Sequence, residues 1–471
     1  SLLVFNPFSW VRDDFIEVVI SCPPFTDPFQ DFELIDARNG KNVEYQVLEE
    51  GAGTIFNVPG YRMWRRLMIF VRDLPPLGYV CIDVLPKRYE GSGSGGESIR
   101  FFKYGIENQY YRIEFDESTG AIKSIYDKEL DKEFVDQEAV YHLNEYLYIT
   151  GREGGRVELS PLLPPPKLKM HRAELIEISQ GQNGPIFGSM MIKRRCKRTP
   201  TIDTEVRLYS KLKRIEIINR LWKEETLESE AAYFVFPFAY RRPEIRFEIP
   251  DGFMRPEVDQ LKGGCRDHYC VLNWLTISDG STTVIWNSVD APLISINDIN
   301  VGKWLKRLDI ENGTIFSYVM NNYWKTNYKA SQGGRFTFRY NLTSHSGGVD
   351  NVKATRFGWS CSHPPLHHLV IPDNKGPLPH EGMSFLEVED PNVVITALKM
   401  SETRDGVIVR LLEIGGKATT SMIRFRGLEF KEAWLCNLVE EPMKRLKVED
   451  GGVKVPIAAR CLATVKLIPK G

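Results

Sequence analysis

The chain has 471 residues, of which 42% are hydrophobic and 26% charged, a composition typical of a globular protein with a large buried core. Its 61 basic and 62 acidic residues leave a formal net charge of −1, which gives no broad positive field for nucleic acid or an anionic membrane. No apolar run approaches the ~20 residues of a transmembrane helix. We therefore expect neither a nucleic-acid partner nor a membrane partner.

The chain starts at Ser1 and runs directly into the strand-like segment LLVFNPFSW, with no signal peptide. We expect it to be a piece of a longer polypeptide. Its eight cysteines are widely spaced, which favours reduced, mostly buried thiols and hence a cytoplasmic location.

Short β-branched and aromatic runs that end at Pro or Gly recur from the first residues onward, and helical signals are almost absent. Residues 1–88 contain three such runs and predict a small β-sandwich domain. Residues 89–98 include GSGSGGES, whose composition is that of a flexible linker.

Residues 107–130, ENQYYRIEFDESTGAIKSIYDKEL, predict a β-hairpin. Tyr111, Ile113 and Phe115 alternate with charged residues, which is the period of a half-buried strand. The turn ESTG follows, in which Gly120 is free to take a positive φ.

The span 99–345 predicts one large antiparallel super-sandwich. Within it, LKRIEIINRLW is compatible with a short helix, but its β-branched residues favour a strand. Residues 346–471 return to strands after a Pro- and His-rich connection and predict a C-terminal β domain. The fold class is all-β, a multi-domain antiparallel β-sandwich protein.

Two stretches are candidates for chemistry. In CRDHYC, residues Cys265, His268 and Cys270 lie close together, but no second ligand pair follows at zinc-site spacing, so we expect no metal there. The stretch 312–340 packs amides and aromatics together, including Asn321 and Tyr323. Aromatic rings stack on the apolar faces of sugars and amides bond their hydroxyls, yet such a loop can equally fill a gap between domains.

Four segments resemble, in order, the C-terminal β region of the family 38 glycoside hydrolases, the α-mannosidases. They are LLVFNPFSWVRDDFIEVVI, the hairpin 107–130, NNYWKTNYKASQGG, and the terminal ALKMSETRDGVIVRLLEIGG with ATVKLIP. The resemblance implies that the hairpin opens a super-sandwich against which a catalytic barrel packs.

This sequence departs from the family pattern in the catalytic barrel. In the family, a barrel carries a zinc held by His and Asp, including a His-x-Asp pair, and an Asp nucleophile. No His here is followed two residues later by Asp. The resemblance therefore implies no catalytic residue, metal ligand or cofactor in this chain, and a zinc in the catalytic domain of the parent.

The resemblance also implies that the β region lends the active-site cleft a tyrosine and a few loop contacts. In LNEYLYITG we rank Tyr146 first and Tyr148 second as sugar-binding residues, on the expectation that only one of them points inward. The further candidates for substrate binding are Asp290, Asn322, Trp324 and Asn327.

The sequence thus predicts the non-catalytic C-terminal half of an α-mannosidase-like enzyme, inactive alone, while the parent is a retaining, metal-dependent glycosidase. Its partners would be the α-mannoside and the N-terminal catalytic domain of the same polypeptide, with homo-oligomerisation left open. One alternative is a free-standing carbohydrate-binding β-sandwich protein. Another is a purely structural β assembly.

Overall fold

The computed structural model of the chain describes residues 1–22, 31–54, 61–87, 99–151, 161–322, 331–370, 376–449 and 451–470. These residues form two compact units. One unit comprises residues 95–362, and the other combines residues 1–94 with residues 363–471.

The strands are short and follow one another closely along the whole chain. Those up to residue 94 are β1 Leu2–Asn6, β2 Arg12–Cys22, β3 Asp31–Asp36, β4 Lys41–Asn42, β5 Tyr45–Thr54, β6 Tyr61–Leu74 and β7 Gly78–Lys87.

The unit of residues 95–362 contains the next twenty strands and one helix. They are β8 Arg100–Phe102, β9 Gly105–Glu107, β10 Tyr111–Phe115, β11 Ile122–Asp127, β12 Lys132–Glu133, β13 Glu145–Thr150, β14 Lys169–Arg172, β15 Glu174–Asn183, β16 Phe187–Cys196, β17 Thr199–Tyr209, β18 Ile215–Lys223, β19 Glu230–Arg241, β20 Glu244–Ile249, β21 Gly252–Met254, β22 Tyr269–Cys270, β23 Leu275–Ser278, β24 Thr282–Ser288, β25 Leu293–Ile296, β26 Asn312–Asn321, β27 Gly334–Ser346 and helix α1 Asn351–Ser362.

The remaining strands return to the first unit. They are β28 Leu366–Leu369, β29 Gly382–Ser384, β30 Leu386–Val388, β31 Val393–Met400, β32 Val407–Glu413, β33 Thr419–Phe425, β34 Phe430–Cys436, β35 Pro442–Leu446, β36 Val448–Glu449, β37 Gly452–Ile457 and β38 Leu462–Pro469. The described part of the chain is thus all-β apart from α1, and the predicted fold class is confirmed.

The unit of residues 95–362, called the large unit below, has three antiparallel sheets in its described residues. A nine-stranded sheet has the order β15-β16-β17-β18-β27-β24-β23-β20-β21, and a six-stranded sheet has the order β14-β13-β19-β26-β25-β22. Side chains from both sheets enter one extensive hydrophobic core, which includes Phe234, Phe236, Trp286 and Tyr340. The part IEIINRLW of LKRIEIINRLW lies in β18 as a strand, as its β-branched residues predicted.

The predicted hairpin 107–130 is confirmed as β10 and β11, the middle of the five-stranded sheet β12-β11-β10-β9-β8. Ile113 lies opposite Ile125, and the inward side chains Tyr111, Ile113 and Phe115 are buried in the large core. Gly120 takes the expected positive φ of 68° in the turn. The hairpin therefore closes one side of the core.

Helix α1 was not predicted from the sequence, in which helical signals are almost absent. Asp350 caps its N-terminus, because its carboxylate accepts the backbone N–H groups of Val352 and Lys353 at 3.0 Å. Its buried positions have helical spacing but are small or polar. Gly358 is one of these buried residues. A side chain does not fit there, because a Cβ would lie 2.6 Å from the carbonyl oxygen of Asn273.

The second unit contains two pairs of sheets. A sheet of order β28-β1-β7-β3-β4, with β29 beside β7, packs on the three-stranded sheet β2-β6-β5 around a core that includes Leu2, Ile69 and Val80. The sheets β30-β33-β37-β36 and β31-β32-β38-β34-β35 enclose a further core. Strand β1 pairs with β28, so the first strand of the chain shares a sheet with residues that follow the large unit in the sequence.

The predicted three-part division of the chain stays a prediction. Residues 1–88 and part of 346–471 meet in one compact unit, and the linker predicted at 89–98 falls outside the described residues. The seven cysteines whose side chains are described carry free thiols. No described helix has the length and apolar character needed to cross a membrane.

Candidate functional site

The six-stranded sheet of the large unit has two buried faces. Tyr146, Tyr148 and Phe234 point into the large core. The alternate residues of the same strands, among them Tyr233 and Tyr318, belong to a smaller cluster on the opposite face. Because successive side chains of a strand point to opposite sides, this second face needs its own cover. Residues 297–310 supply part of it, since Ile299 and Val301 pack in this cluster.

A cleft of about 650 Å³ opens on this second face of the sheet. Three separate parts of the chain provide most of its walls: residues 262–268, residues 301–306 and the end of β26. The lining residues are Pro161, Lys262, Gly263, Gly264, Cys265, Arg266, Asp267, His268, Val301, Gly302, Trp304, Leu305, Lys306, Tyr318 and Asn321. The volume is within the usual range for small-molecule sites.

A buried carboxylate fixes the wall that carries Trp304. Asp267 accepts the backbone N–H groups of Trp304 and Leu305, each at 2.8 Å. Trp304 has a φ of 52°, a left-handed conformation that bulky residues rarely adopt, and its side chain is 44% exposed. The two hydrogen bonds to Asp267 thus hold an exposed indole at the cleft in a backbone conformation that it would not adopt unaided.

The floor of the cleft is aromatic. The ring of Tyr318 stacks on Tyr233 with the ring centroids 4.4 Å apart, and the imidazole of His268 lies 5.1 Å from Tyr318. His268 bonds the Ser295 hydroxyl through Nδ1 at 3.0 Å. Burial lowers the pKa of His268 despite the nearby Asp267 carboxylate, which favours a neutral imidazole in the cleft.

The first four residues of CRDHYC, residues 265–268, are part of the cleft wall. Cys265 and Cys270 are both exposed, and His268 is engaged with Ser295. Within the described ranges, no three His, Cys, Asp or Glu residues are grouped so as to hold a metal ion.

The two tyrosines ranked from the sequence share one environment. Tyr146 and Tyr148 are two residues apart, so they lie on the same face of β13, and both are buried in the large core. The expectation that only one of them points inward was wrong. The Tyr146 hydroxyl lies 3.0 Å from the hydroxyl of Thr199, and the Tyr148 hydroxyl donates to Glu230.

We expect Tyr146→Phe to lower the free energy of unfolding of the large unit by about 0.5–1.5 kcal/mol, because it removes one buried hydrogen bond and leaves the Thr199 hydroxyl in place. Urea denaturation measures this change. Thr199→Val is the matched control, and the double variant should cost less than the sum of the two single changes. Strictly additive losses would contradict an interaction between the two hydroxyls.

The other predicted site residues lie outside the cleft or outside the described residues. Asp290 accepts the backbone N–H of Arg339 at 2.9 Å and its guanidinium at 2.8 and 2.9 Å. Asn322 is buried and donates to the carbonyl oxygens of Thr226 and Glu228. Trp324 and Asn327 fall in residues 323–330, which are not described. A role of these residues in substrate binding stays a prediction.

Sequence reasoning considered CRDHYC only as a metal site, included Tyr318 in the candidate stretch 312–340 without singling it out, and missed Trp304. The signal for Tyr318 was its place in the amide-rich and aromatic stretch 312–340, which leads to Asn321 at the cleft. Trp304 gave no signal by itself, because an isolated Trp between lysines reads as an ordinary loop residue.

Two models of known domains match the chain. The C-terminal domain of glycosyl hydrolases family 38 matches residues 106–285, and the C-terminal β-sandwich domain of the same family matches residues 392–465. Together they cover more than half of the chain. Comparison with curated protein sequences gives no match.

Two solved structures share the fold of nearly the whole chain. An α-mannosidase from Enterococcus faecalis V583 aligns with 99% of this chain at 14% identity and a TM-score of 0.71, over 55% of its own length. A family 38 glycosyl hydrolase protein from Enterococcus faecalis aligns with 99% of this chain at 14% identity and a TM-score of 0.72, over 57% of its length. With both family matches in order along this fold, the chain belongs to the family 38 glycoside hydrolases and forms a C-terminal region of such a protein.

Proposed function

We propose that this chain is the non-catalytic C-terminal part of a glycoside hydrolase that removes terminal α-linked mannose. The observation that carries the proposal is the alignment of its whole fold with 55% of an α-mannosidase. In this proposal, a separate catalytic domain occupies the part of the parent that corresponds to the unaligned remainder of that relative. Because one fold can serve several functions, the substrate is part of the proposal.

In this proposal the large unit walls the active-site cleft of the parent and packs against the catalytic domain of the same polypeptide. The parent is a retaining enzyme, in which a carboxylate nucleophile and a carboxylic acid–base act on either side of the glycosidic bond. The described residues offer no cluster that fits a catalytic zinc, which needs three protein ligands. We therefore assign the zinc to the catalytic domain. A cytoplasmic location and homo-oligomerisation are further proposals.

We expect the purified 471-residue chain to show no hydrolysis of 4-nitrophenyl α-D-mannoside, with or without added zinc. The physical reason is that this chain would lack both the metal site and the paired carboxylates of the catalytic domain. Absorbance of released nitrophenolate measures turnover. Co-expression with the rest of the parent polypeptide is the positive control and should restore turnover. Turnover by the chain alone that a chelator abolishes would overturn the proposal.

A free-standing carbohydrate-binding protein is the second candidate, and the exposed Trp304 at the cleft favours it. Calorimetry and the turnover assay together separate the two functions. A carbohydrate-binding protein would bind mannose or mannobiose in a calorimeter and would give no turnover, with or without co-expression.

A further inference from the structure

The cleft at Trp304 combines an exposed aromatic face with positive charge. Three cationic side chains line it: Lys262, Arg266 and Lys306. Among the described residues that line the cleft, the one carboxylate is that of Asp267, which is buried and already accepts two backbone N–H groups. The charge that the cleft presents to a ligand is therefore positive.

Two of these cations are available to a ligand. Arg266 forms an ion pair with Glu257. Lys262 and Lys306 are exposed, and neither has an ion-pair partner among the residues that the structure describes. Neighbouring Lys303 differs, since it pairs with Asp298 and does not line the cleft. Two lysines that have no ion-pair partner in the described part of the chain, next to an apolar wall, favour an anionic ligand.

The aromatic wall indicates the shape of that anion. Trp304 offers an open ring, whereas the face of Tyr318 is stacked on Tyr233. A ligand can therefore stack on one indole rather than between two rings. The apolar face of a pyranose suits such a single platform.

We propose that this cleft binds an anionic hexose, with its ring on Trp304 and its phosphate or carboxylate group on Lys262 and Lys306. The choice of a hexose rests on the proposed function of the chain in a mannoside-cleaving enzyme. The requirement for an anion rests on the charges of the cleft alone. The site is distinct from the predicted contacts at Tyr146 and Asn322, neither of which lines the cleft.

Isothermal titration calorimetry of the full chain tests this. Mannose 6-phosphate and mannuronate are the anionic probes, and the tighter of the two identifies phosphate or carboxylate as the preferred group. Mannose and glycerol 3-phosphate are the reference ligands, which lack the charge and the ring respectively. We expect an anionic hexose to bind at least tenfold more tightly than either reference, and less tightly at high salt.

Variants assign the binding to the cleft. We expect Trp304→Ala, and separately Lys262→Gln combined with Lys306→Gln, to weaken binding at least tenfold. Trp222→Ala and Lys303→Gln are the matched controls and should leave the affinity unchanged, because Trp222 is an exposed Trp elsewhere in the same unit. Alkylation of the exposed Cys265 thiol should also slow when the probe is bound, a readout that needs no variant.

Several results would overturn the proposal. They are no binding of either anionic hexose at millimolar concentration, equally tight binding of mannose or of glycerol 3-phosphate, or unchanged affinity in the Trp304 variant. None of these measurements depends on mannoside hydrolysis. Failure of the proposed function, detected by the turnover assay, is therefore separate from failure of this site.

Discussion

Replacing Lys223 with methionine is expected to lower the free energy of unfolding of the large unit by about 3–5 kcal/mol. Lys223 and Glu230 are almost completely buried, and Lys223 Nζ lies 2.8 Å from a Glu230 carboxylate oxygen. The Tyr148 hydroxyl donates to the same carboxylate. Removing the cation leaves a buried negative charge whose described hydrogen bond comes from a neutral hydroxyl, which is the costly case for a buried pair. Hydrogen exchange of amides in strands β18 and β19 measures the change.

The double variant Lys223→Met with Glu230→Gln provides the decisive control. It removes both charges and keeps an acceptor for Tyr148, so it should recover most of the loss. Lys193→Met breaks an exposed pair with Glu177 and should change nothing measurable. Equal losses in the single and double variants would contradict the argument, since the cost would then not come from an uncompensated charge.

Trp286→Ala is expected to cost about 3–5 kcal/mol through the cavity that it leaves. Trp286 is fully buried between Phe236 and Tyr340, with ring centroids 5.4 and 5.6 Å away. The loss of aromatic contacts adds to the loss of buried apolar area. Urea denaturation of the purified chain measures the shift of the transition of the large unit.

Trp286→Phe is the matched control. The indole Nε1 of Trp286 has no hydrogen-bond partner among the described residues, so Phe removes an unsatisfied donor and keeps most of the ring. We expect this variant to cost clearly less than Trp286→Ala. A phenylalanine variant as unstable as the alanine variant would show that the indole forms an essential polar contact instead.

The strands and the hairpin could be predicted because their signal is local. The alternation at Tyr111, Ile113 and Phe115 has period two, and each of these side chains is buried. Helix α1 could not be found in this way, because its buried face is made of small and polar residues such as Ala354 and Gly358 rather than of large apolar ones. Its cap at Asp350 was the available signal.

The site was less accessible to sequence reasoning than the fold. The cleft forms where residues 262–268, residues 301–306 and the end of β26 meet, and only pairing between distant strands brings them together. The wrong expectation that only one of Tyr146 and Tyr148 points inward had a simpler cause. Spacing of two residues assigns Tyr146 and Tyr148 to one face, and the core, rather than a surface, covers that face.

The pairing of β1 with β28 has a consequence for synthesis on the ribosome. Residues 2–6 cannot pair with residues 366–369 until the ribosome has synthesised the latter. All of residues 95–362 are synthesised in between. At ~5–20 residues per second, that wait lasts roughly 20–70 s. The inserted unit has its whole sequence available first and can fold during this interval. The edge of β1 that faces away from β7 meanwhile remains unpaired, open to capture by a chaperone or by another nascent chain.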